Sequence, residues 1–452
     1  MRLVCRFWKA SADDTAELWG RLFCFPTSEC SWMARALRHT KRMLLDLNYL
    51  APPFRWVRLA KQEMDEALAE GRVRQLSLTV SESSGYRLCQ WSSVFWKLNP
   101  ANLERLEIKA DRSLTYGDLM VIDHTAFCGK TPHILHHLTL DNHALKVDRE
   151  SRLFDTQNLV YLSLTACSLP YTVFGLLQVA ENNPNLSTLI LSVGSRTFRS
   201  MEEHETQRRE RFDLRQLRTL SLTGRFDVLI PVLGGIRLEP KQCSLECDVE
   251  LDRPTRQPAG VTRDLLNGAI QPYLIEAFGD GAEAKCLECT ANCMPVPFYS
   301  VALRIRGTSS STASFLLKLG CEISGSSHYV NGIFQSLLDE WMFLGAVDTI
   351  HGTRAPSTFW PSTIPRLPSL QTIRITRYLG ELGNALLNQD PGQYPKGLVK
   401  VELSDISLEE GALNSLKGWL KGSLQDGSSS RTLRFVRCAV KGTTGKDEER
   451  FI

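Results

Sequence analysis

Between residues 159 and 191 the apolar positions form two patterns joined end to end. Leu159, Leu162 and Leu164 open the stretch in the order L-x-x-L-x-L, and Leu186, Leu189 and Leu191 close it in the same order. Alternation after the first leucine fits a short strand with one buried face. Between the strands, Val173, Leu176, Leu177 and Ala180 recur at i, i+3, i+4 and i+7, which predicts a helix with one apolar stripe. Ser168 is expected to cap that helix, Pro170 to sit in its first turn, and Asn182-Asn183-Pro184 to end it. A strand–turn–helix unit of this size cannot cover its own apolar face, so it must stack on neighbours, as in a solenoid.

The spacing recurs in phase. It begins at Val73-x-x-Leu76-x-Leu78 and returns at Leu103-x-x-Leu106-x-Ile108, Leu135-x-x-Leu138-x-Leu140 and Leu217-x-x-Leu220-x-Leu222, with a degenerate copy at Gln242-x-x-Leu245-x-Cys247. The mean period is about 28 residues, the long end of the range for leucine-rich repeats. The phase blurs afterwards. A helix is expected over Leu265–Phe278, strands at Val301–Ile305 and Phe315–Leu319, and a helix over Ile333–Phe343, with a poor repeat at Leu344-x-x-Val347-x-Thr349. It clears at Leu370-x-x-Ile373-x-Ile375 and Leu398-x-x-Val401-x-Leu403, and Leu433-x-Phe435 is the last strand. Upstream, Trp32, Ala36, Met43 and Leu47 give a rough helical stripe. Leu59, Ala60, Met64, Ala67 and Leu68 give a second helix, closed by Gly71. The expected architecture is therefore α/β: a leucine-rich-repeat solenoid with a parallel concave sheet and convex helices over 73–440, preceded by short helices over 1–25 and a helical linker or cap over 26–72, and followed by a frayed polar tail over 441–452.

Composition narrows the function classes. Net charge is +3 over 452 residues, which calls for neither a nucleic-acid nor a membrane partner. Thirteen scattered cysteines, an odd number, argue against a disulfide framework and for reduced thiols in the cytosol or nucleus. The first residues lack the apolar run of a signal peptide.

At the N-terminus, Val4-Cys5-Arg6-Phe7-Trp8 followed by Trp19 resembles the second half of an F-box, a Val-Cys-x-x-Trp helix and a second Trp after a short link. With the repeats behind it, the chain resembles fungal F-box/leucine-rich-repeat proteins. The family's opening Leu-Pro-x-Glu-Leu-Leu segment is not among these residues, so the F-box is expected to be truncated. The resemblance implies that residues 1–25 dock on the adaptor subunit of an SCF ubiquitin ligase through Val4, Cys5, Trp8 and Trp19, while the repeats hold a protein substrate.

Other candidate chemistry is thinner. Cys286-x2-Cys289-x3-Cys293, with Cys243 and Cys247 nearby, offers thiolates for zinc. It lacks the paired C-x2-C spacing, and buried strand cysteines are common, so no metal and no cofactor are expected. His133, His136, His137 and His143 cluster around one strand without convergent carboxylates and read as surface histidines. The charge run 196–218 holds seven Arg against five acidic residues and reads as a solvated insertion. No phosphate loop, G-x-S-x-G or H-E-x-x-H occurs. The expected activity is recognition, not catalysis, on the x residues of the concave strands: Val160, Tyr161, Ser163, Ser187, Thr188 and Ile190. The alternative is a repeat scaffold with no ubiquitin link.

Overall fold

The computed structural model describes residues 43–49, 61–80, 92–110, 120–141, 145–169, 172–193, 211–251, 258–279, 284–293, 299–307, 313–321, 327–356, 359–379, 397–422, 431–441 and 449–451, with isolated positions at 15, 24–25, 37, 39–40 and 382. The F-box-like residues Val4, Cys5, Trp8 and Trp19 lie outside the described residues, as do most of the helices expected over 1–25, whose last two residues, Cys24–Phe25, form a strand instead. The chain divides into two compact units, residues 1–217 with 235–237, and residues 218–234 with 238–452. Each is α/β with a mostly parallel sheet. Among the described residues no helix is long and apolar enough to cross a membrane.

In the first unit, numbering only the strands of the main ladder, β1 (Cys24–Phe25), β2 (Leu45–Tyr49), β3 (Val73–Val80), β4 (Arg105–Ala110), β5 (His137–Asp141), β6 (Tyr161–Thr165) and β7 (Thr188–Val193) pair in parallel, each on the next. Leu76, Leu106, Leu138, Leu162 and Leu189 fall in one register column, and Leu78, Ile108, Leu140, Leu164 and Leu191 in the next. All ten are buried. Leu47 belongs to strand β2, not to the expected helix. Leu45-Asp-Leu47-Asn alternates with period two, and both leucines are buried while Asp46 and Asn48 are not. Helix α1 (Lys61–Ala69) buries Met64, Ala67 and Leu68 and ends on Gly71 at φ 71°.

Helix α2 (Val173–Glu181) buries the expected Val173, Leu176, Leu177 and Ala180. Its cap is Thr172, whose hydroxyl accepts from Gly175 N at 3.2 Å, and not Ser168. Ser168 instead bridges to Lys146, and its carbonyl accepts from Val147 N at 2.9 Å. At the far end the buried Asn183 donates to Val179 O (2.8 Å) and accepts from Leu159 N (2.9 Å), tying the helix terminus to the start of β6.

The second unit holds β8 (Thr219–Arg225), β9 (Ser244–Glu250), β10 (Cys286–Cys293), β11 (Tyr299–Arg306), β12 (Ser314–Cys321), β13 (Thr349–Thr353), β14 (Thr372–Thr376), β15 (Lys400–Ser404) and β16 (Thr432–Val436). Its spatial order is β8-β9-β12-β11-β10-β13-β14-β15-β16. Residues 250–350 thus continue the sheet through three strands laid in reverse, with β11 antiparallel to both neighbours. Helices α3 (Ala259–Phe278) and α4 (Ser327–Glu340) carry the two crossovers, which must span several strands. They pack together through Trp341 Nε1–H to Asn267 Oδ1 at 3.0 Å, and Tyr273 inserts its hydroxyl onto Cys243 O at 2.5 Å.

Register corrects two readings. Leu287 and Cys289 align with Ile350 and Gly352, which align with Ile373 and Ile375. The tempting thiol motif is therefore a repeat strand, Ala284-x-x-Leu287-x-Cys289. The poor repeat begins at Val347, three residues beyond its expected frame. Gly352 hid it: a glycine stands where the third leucine belongs because the indole of the fully buried Trp360 fills that space, 2.5 Å from where a Cβ would lie. The tail, expected to fray, returns as strand Glu449–Phe451 antiparallel to Ala439–Lys441.

Restoring the repeat's own leucine at this position is expected to harm it. Gly352→Leu should destabilise by about 1–3 kcal/mol through overpacking against Trp360, read as a lower urea midpoint; an unchanged or higher midpoint contradicts this packing.

Candidate partner-binding face

Burying alternate side chains leaves the others in columns on the open face. In the first unit one column runs Gln75, Arg105, His137, Tyr161, Thr188 and the next Ser77, Glu107, Thr139, Ser163, Ile190. The expected contact residues therefore come together, Tyr161 beside Thr188 and Ser163 beside Ile190. Val160 and Ser187 immediately precede the two strands, where Val160 is 42 % exposed and Ser187 Oγ donates to Val160 O at 3.1 Å. Ser163 corrects the expectation of exposure. It is only 6 % exposed, a small side chain set between the longer Thr139 and Ile190.

A charged knot lies at the centre of these columns. Glu107 accepts from Arg105, from Ser77 Oγ at 3.2 Å and from His137 Nε2 at 3.1 Å, with Lys109 Nζ at 3.8 Å. Burial pushes the Glu107 carboxyl up, but Arg105, Lys109 and His137 outweigh it and hold the group below its ordinary 4.5. His137 lies flat on Tyr161, ring centroids 4.2 Å apart and 5° from parallel. Burial and then Arg105 keep it below its ordinary 6.5, against the pull of Glu107. His137 is thus a structural member of the face and not the plain surface histidine expected. His133 and His136 are exposed, and His143 lies outside the described residues, as does most of the charge run 196–218.

In the second unit the corresponding column reads Arg304, Glu288, His351, Arg374, Glu402, Arg434 across five neighbouring pairings. Glu402 sits among Lys400 Nζ (2.8 Å), Arg374 Nε (2.9 Å) and Arg434 Nη1 (3.2 Å). Lys400, then Arg374, hold its carboxyl below the ordinary range against burial. Beyond this column, β13 to β16 each run into one left-handed residue: Arg354 (φ 53°), Arg377 (φ 72°), Asp405 (φ 55°) and Arg437 (φ 54°). Such backbone disfavours any side chain but glycine's, by about 1–2 kcal/mol per residue. The amides of Arg377 and Asp405 still extend the ladder, donating to Ser404 O (3.1 Å) and Val436 O (3.0 Å). Arg437 Nη2 reaches Asp405 Oδ2 at 2.8 Å.

These arginines were missed by sequence reasoning although a signal was present. The repeats carry Arg374-x-x-Arg377, Glu402-x-x-Asp405 and Arg434-x-x-Arg437 in the same phase, visible only once the strands are aligned on their leucines.

The thiols do not converge. Cys286 and Cys289 are three residues apart on one strand and so face opposite sides. Cys247 and Cys289 share a buried column but stand three strand spacings apart, about 14 Å. Among the described residues no three His, Cys, Asp or Glu side chains gather to hold a metal. Burial pushes the Cys167 and Cys243 thiols up to about 12, far from thiolate chemistry.

No protein-family model matches the chain, and no curated protein matches it.

The knot should titrate. Both Glu107 and His137 are depressed when folded, so the unfolded chain takes up protons first as the pH falls, and stability falls with it. His137's share is lost below 6.5 and Glu107's below 4.5. The melting-temperature difference between wild type and Glu107→Gln should shrink as pH drops through 4.5; a constant difference contradicts the ion-paired carboxylate. For the left-handed row, Arg377→Gly is expected to stabilise by roughly 0.5–1 kcal/mol, the relief of strain less glycine's extra chain entropy. A loss of stability would show that the Arg377 side chain supports the fold.

Proposed function

We propose that this chain is a leucine-rich-repeat solenoid that recognises another protein on the open face of its parallel sheet and presents it to an SCF-type ubiquitin ligase. One observation carries the recognition half: within each unit the leucine-position columns are buried in register, short of the half-buried Leu433 and Phe435 on the last strand, which leaves polar and charged columns on the other face with no covering element among the described residues. In the second unit nine strands at about 4.8 Å spacing span roughly 38 Å, and five exposed-strand residues add about 16 Å, an area on the order of 600 Å². That is most of the ~800 Å² per partner of a standard interface. The buried, protonated thiols and the ion-paired carboxylates support a surface that binds and does not react.

The ubiquitin half rests on the likeness of Val4, Cys5, Trp8 and Trp19 to an F-box. In this reading those residues hold the adaptor, and the chemistry belongs to other subunits. A scaffold without a ubiquitin link would use the same sheet face, so the adaptor decides between them. Tagged wild-type chain should co-purify the SCF adaptor, and Trp8→Ala should lose most of it. No adaptor with the wild type, or equal adaptor with both, removes the ligase role and leaves the scaffold.

A further inference from the structure

Net positive charge on the second unit's face is concentrated on its last three strands. Strands β14, β15 and β16 with their left-handed turns carry Arg374 and Arg377, then Lys400, Glu402 and Asp405, then Arg434 and Arg437. Their net of +3 equals that of the whole 452-residue chain, so the remainder is neutral as a sum. The arrangement is two parallel rows of arginine, acid and arginine: Arg374–Glu402–Arg434 and Arg377–Asp405–Arg437.

The acids of the middle strand do not cancel the site. Each guanidinium has five N–H donors, and the ion pairs above use one or two of them. Arg434 and Arg437 remain 63 % and 75 % exposed, and Arg374 55 %. Arg377 is exposed and has no ion pair among the described residues. Glu402 and Asp405 thus hold three of the four forks in place while their outer donors face solvent. Tyr378, 54 % exposed, stands beside Arg377 as an apolar contact. The rows lie three residues apart along the strands, and the outer strands two spacings apart, so the backbone positions of the four arginines mark a square of about 10 Å, with the Arg374 and Arg434 forks drawn inward onto Glu402.

We infer that this arginine square binds the carboxylates of an acidic segment in the partner protein. The inference rests on the recognition reading above and gives that partner its chemistry. Carboxylates at i and i+3 of a polyproline-II segment stand on one side about 9 Å apart, which is close to the spacing of the square, and Arg forks suit carboxylates in bidentate geometry. A nucleic-acid backbone fits less well. Its phosphates would lie over Glu402 and Asp405, and the strands carry no row of aromatic side chains on which bases stack.

The test is fluorescence anisotropy with the full chain and a labelled, Pro-rich peptide carrying Glu at every third position, whose polyproline-II form keeps the carboxylates on one side. Its Gln counterpart, a phosphoserine counterpart and a single-stranded oligonucleotide serve as competing probes. The Glu peptide should bind at least about tenfold more tightly than the Gln peptide, and should weaken as salt rises from about 50 to about 300 mM. Arg377→Glu with Arg437→Glu should lower its affinity at least about tenfold at an unchanged melting temperature, and Arg434→Gln should lower it less. Arg149→Glu, on the first unit, should leave it unchanged. Equal binding of the Gln peptide, indifference to the double substitution, or an oligonucleotide or phosphoserine peptide bound more than about tenfold tighter overturns the assignment. If Tyr161→Glu abolishes capture of a protein partner while the Glu peptide never binds, the recognition reading stands and this inference alone falls.

Discussion

Sideways stacking of one apolar side chain on its register partner in the next strand is the interaction on which the rest of this protein depends. Leu162 lies between Leu138 and Leu189, and Ile373 between Ile350 and Val401. A slip of one residue in any strand would turn its whole apolar set outward and bring charges such as Arg374 or Glu402 into the core. The burial of each leucine is worth on the order of 1.5–3 kcal/mol, so register is held by many such terms at once. The reversed strands β10 to β12 obey the same constraint. Their order is reversed and β11 runs antiparallel, yet Leu287, Ile305 and Phe315 remain in one buried column. Where the constraint is broken, at Gly352, a tryptophan from outside the ladder repairs it.

The open face follows from this and answers to different energetics. Exposed ion pairs add only about 0–1 kcal/mol, and left-handed arginines cost about 1–2 kcal/mol each. Neither Glu402 among its cations nor the row Arg354, Arg377, Asp405 and Arg437 therefore adds appreciably to stability. What these residues achieve is placement: carboxylates on the ladder fix the orientation of neighbouring guanidinia, and the turns carry arginines to the edge of the face. Preorganised cations of this kind reduce the ordering that a bound partner must induce. In the first unit the same device appears with Glu107 between Arg105, Lys109 and His137, and with Asp46 holding Arg74.

Much of the ladder was legible because leucine at L-x-x-L-x-L needs no context: strands β3 to β9 and β14 to β16 stand where the pattern puts them. Three features were hidden for physical reasons. The strand Leu45–Tyr49 is short, and the helical stripe Trp32, Ala36, Met43, Leu47 ran through it, so a two-residue period was masked by a longer one. The repeats at Ala284 and Val347 replace leucines with alanine, cysteine and glycine, residues whose burial depends on a distant Trp360 or on neighbouring strands. The reversal of β10 to β12 is a topology, and local periodicity carries no record of it. As for the face, the alternation rule placed Tyr161, Thr188 and Ile190 on it correctly. Burial of Ser163, the stacking of His137 on Tyr161 and the arginine square all depend on lateral neighbours about 25–30 residues away in sequence, a separation set by the repeat period.

The central claim is that alternate residues of the ladder strands belong to two different environments, one packed and one open to solvent. Single-cysteine substitution along Thr372–Thr376, with maleimide labelling read at each site by mass spectrometry, tests it most directly. Cysteine at 372, 374 and 376 should label rapidly and at 373 and 375 at least about tenfold more slowly, in line with the buried Ile373 and Ile375. Uniform labelling across the five positions, or fast labelling at 373 and 375, would contradict the account.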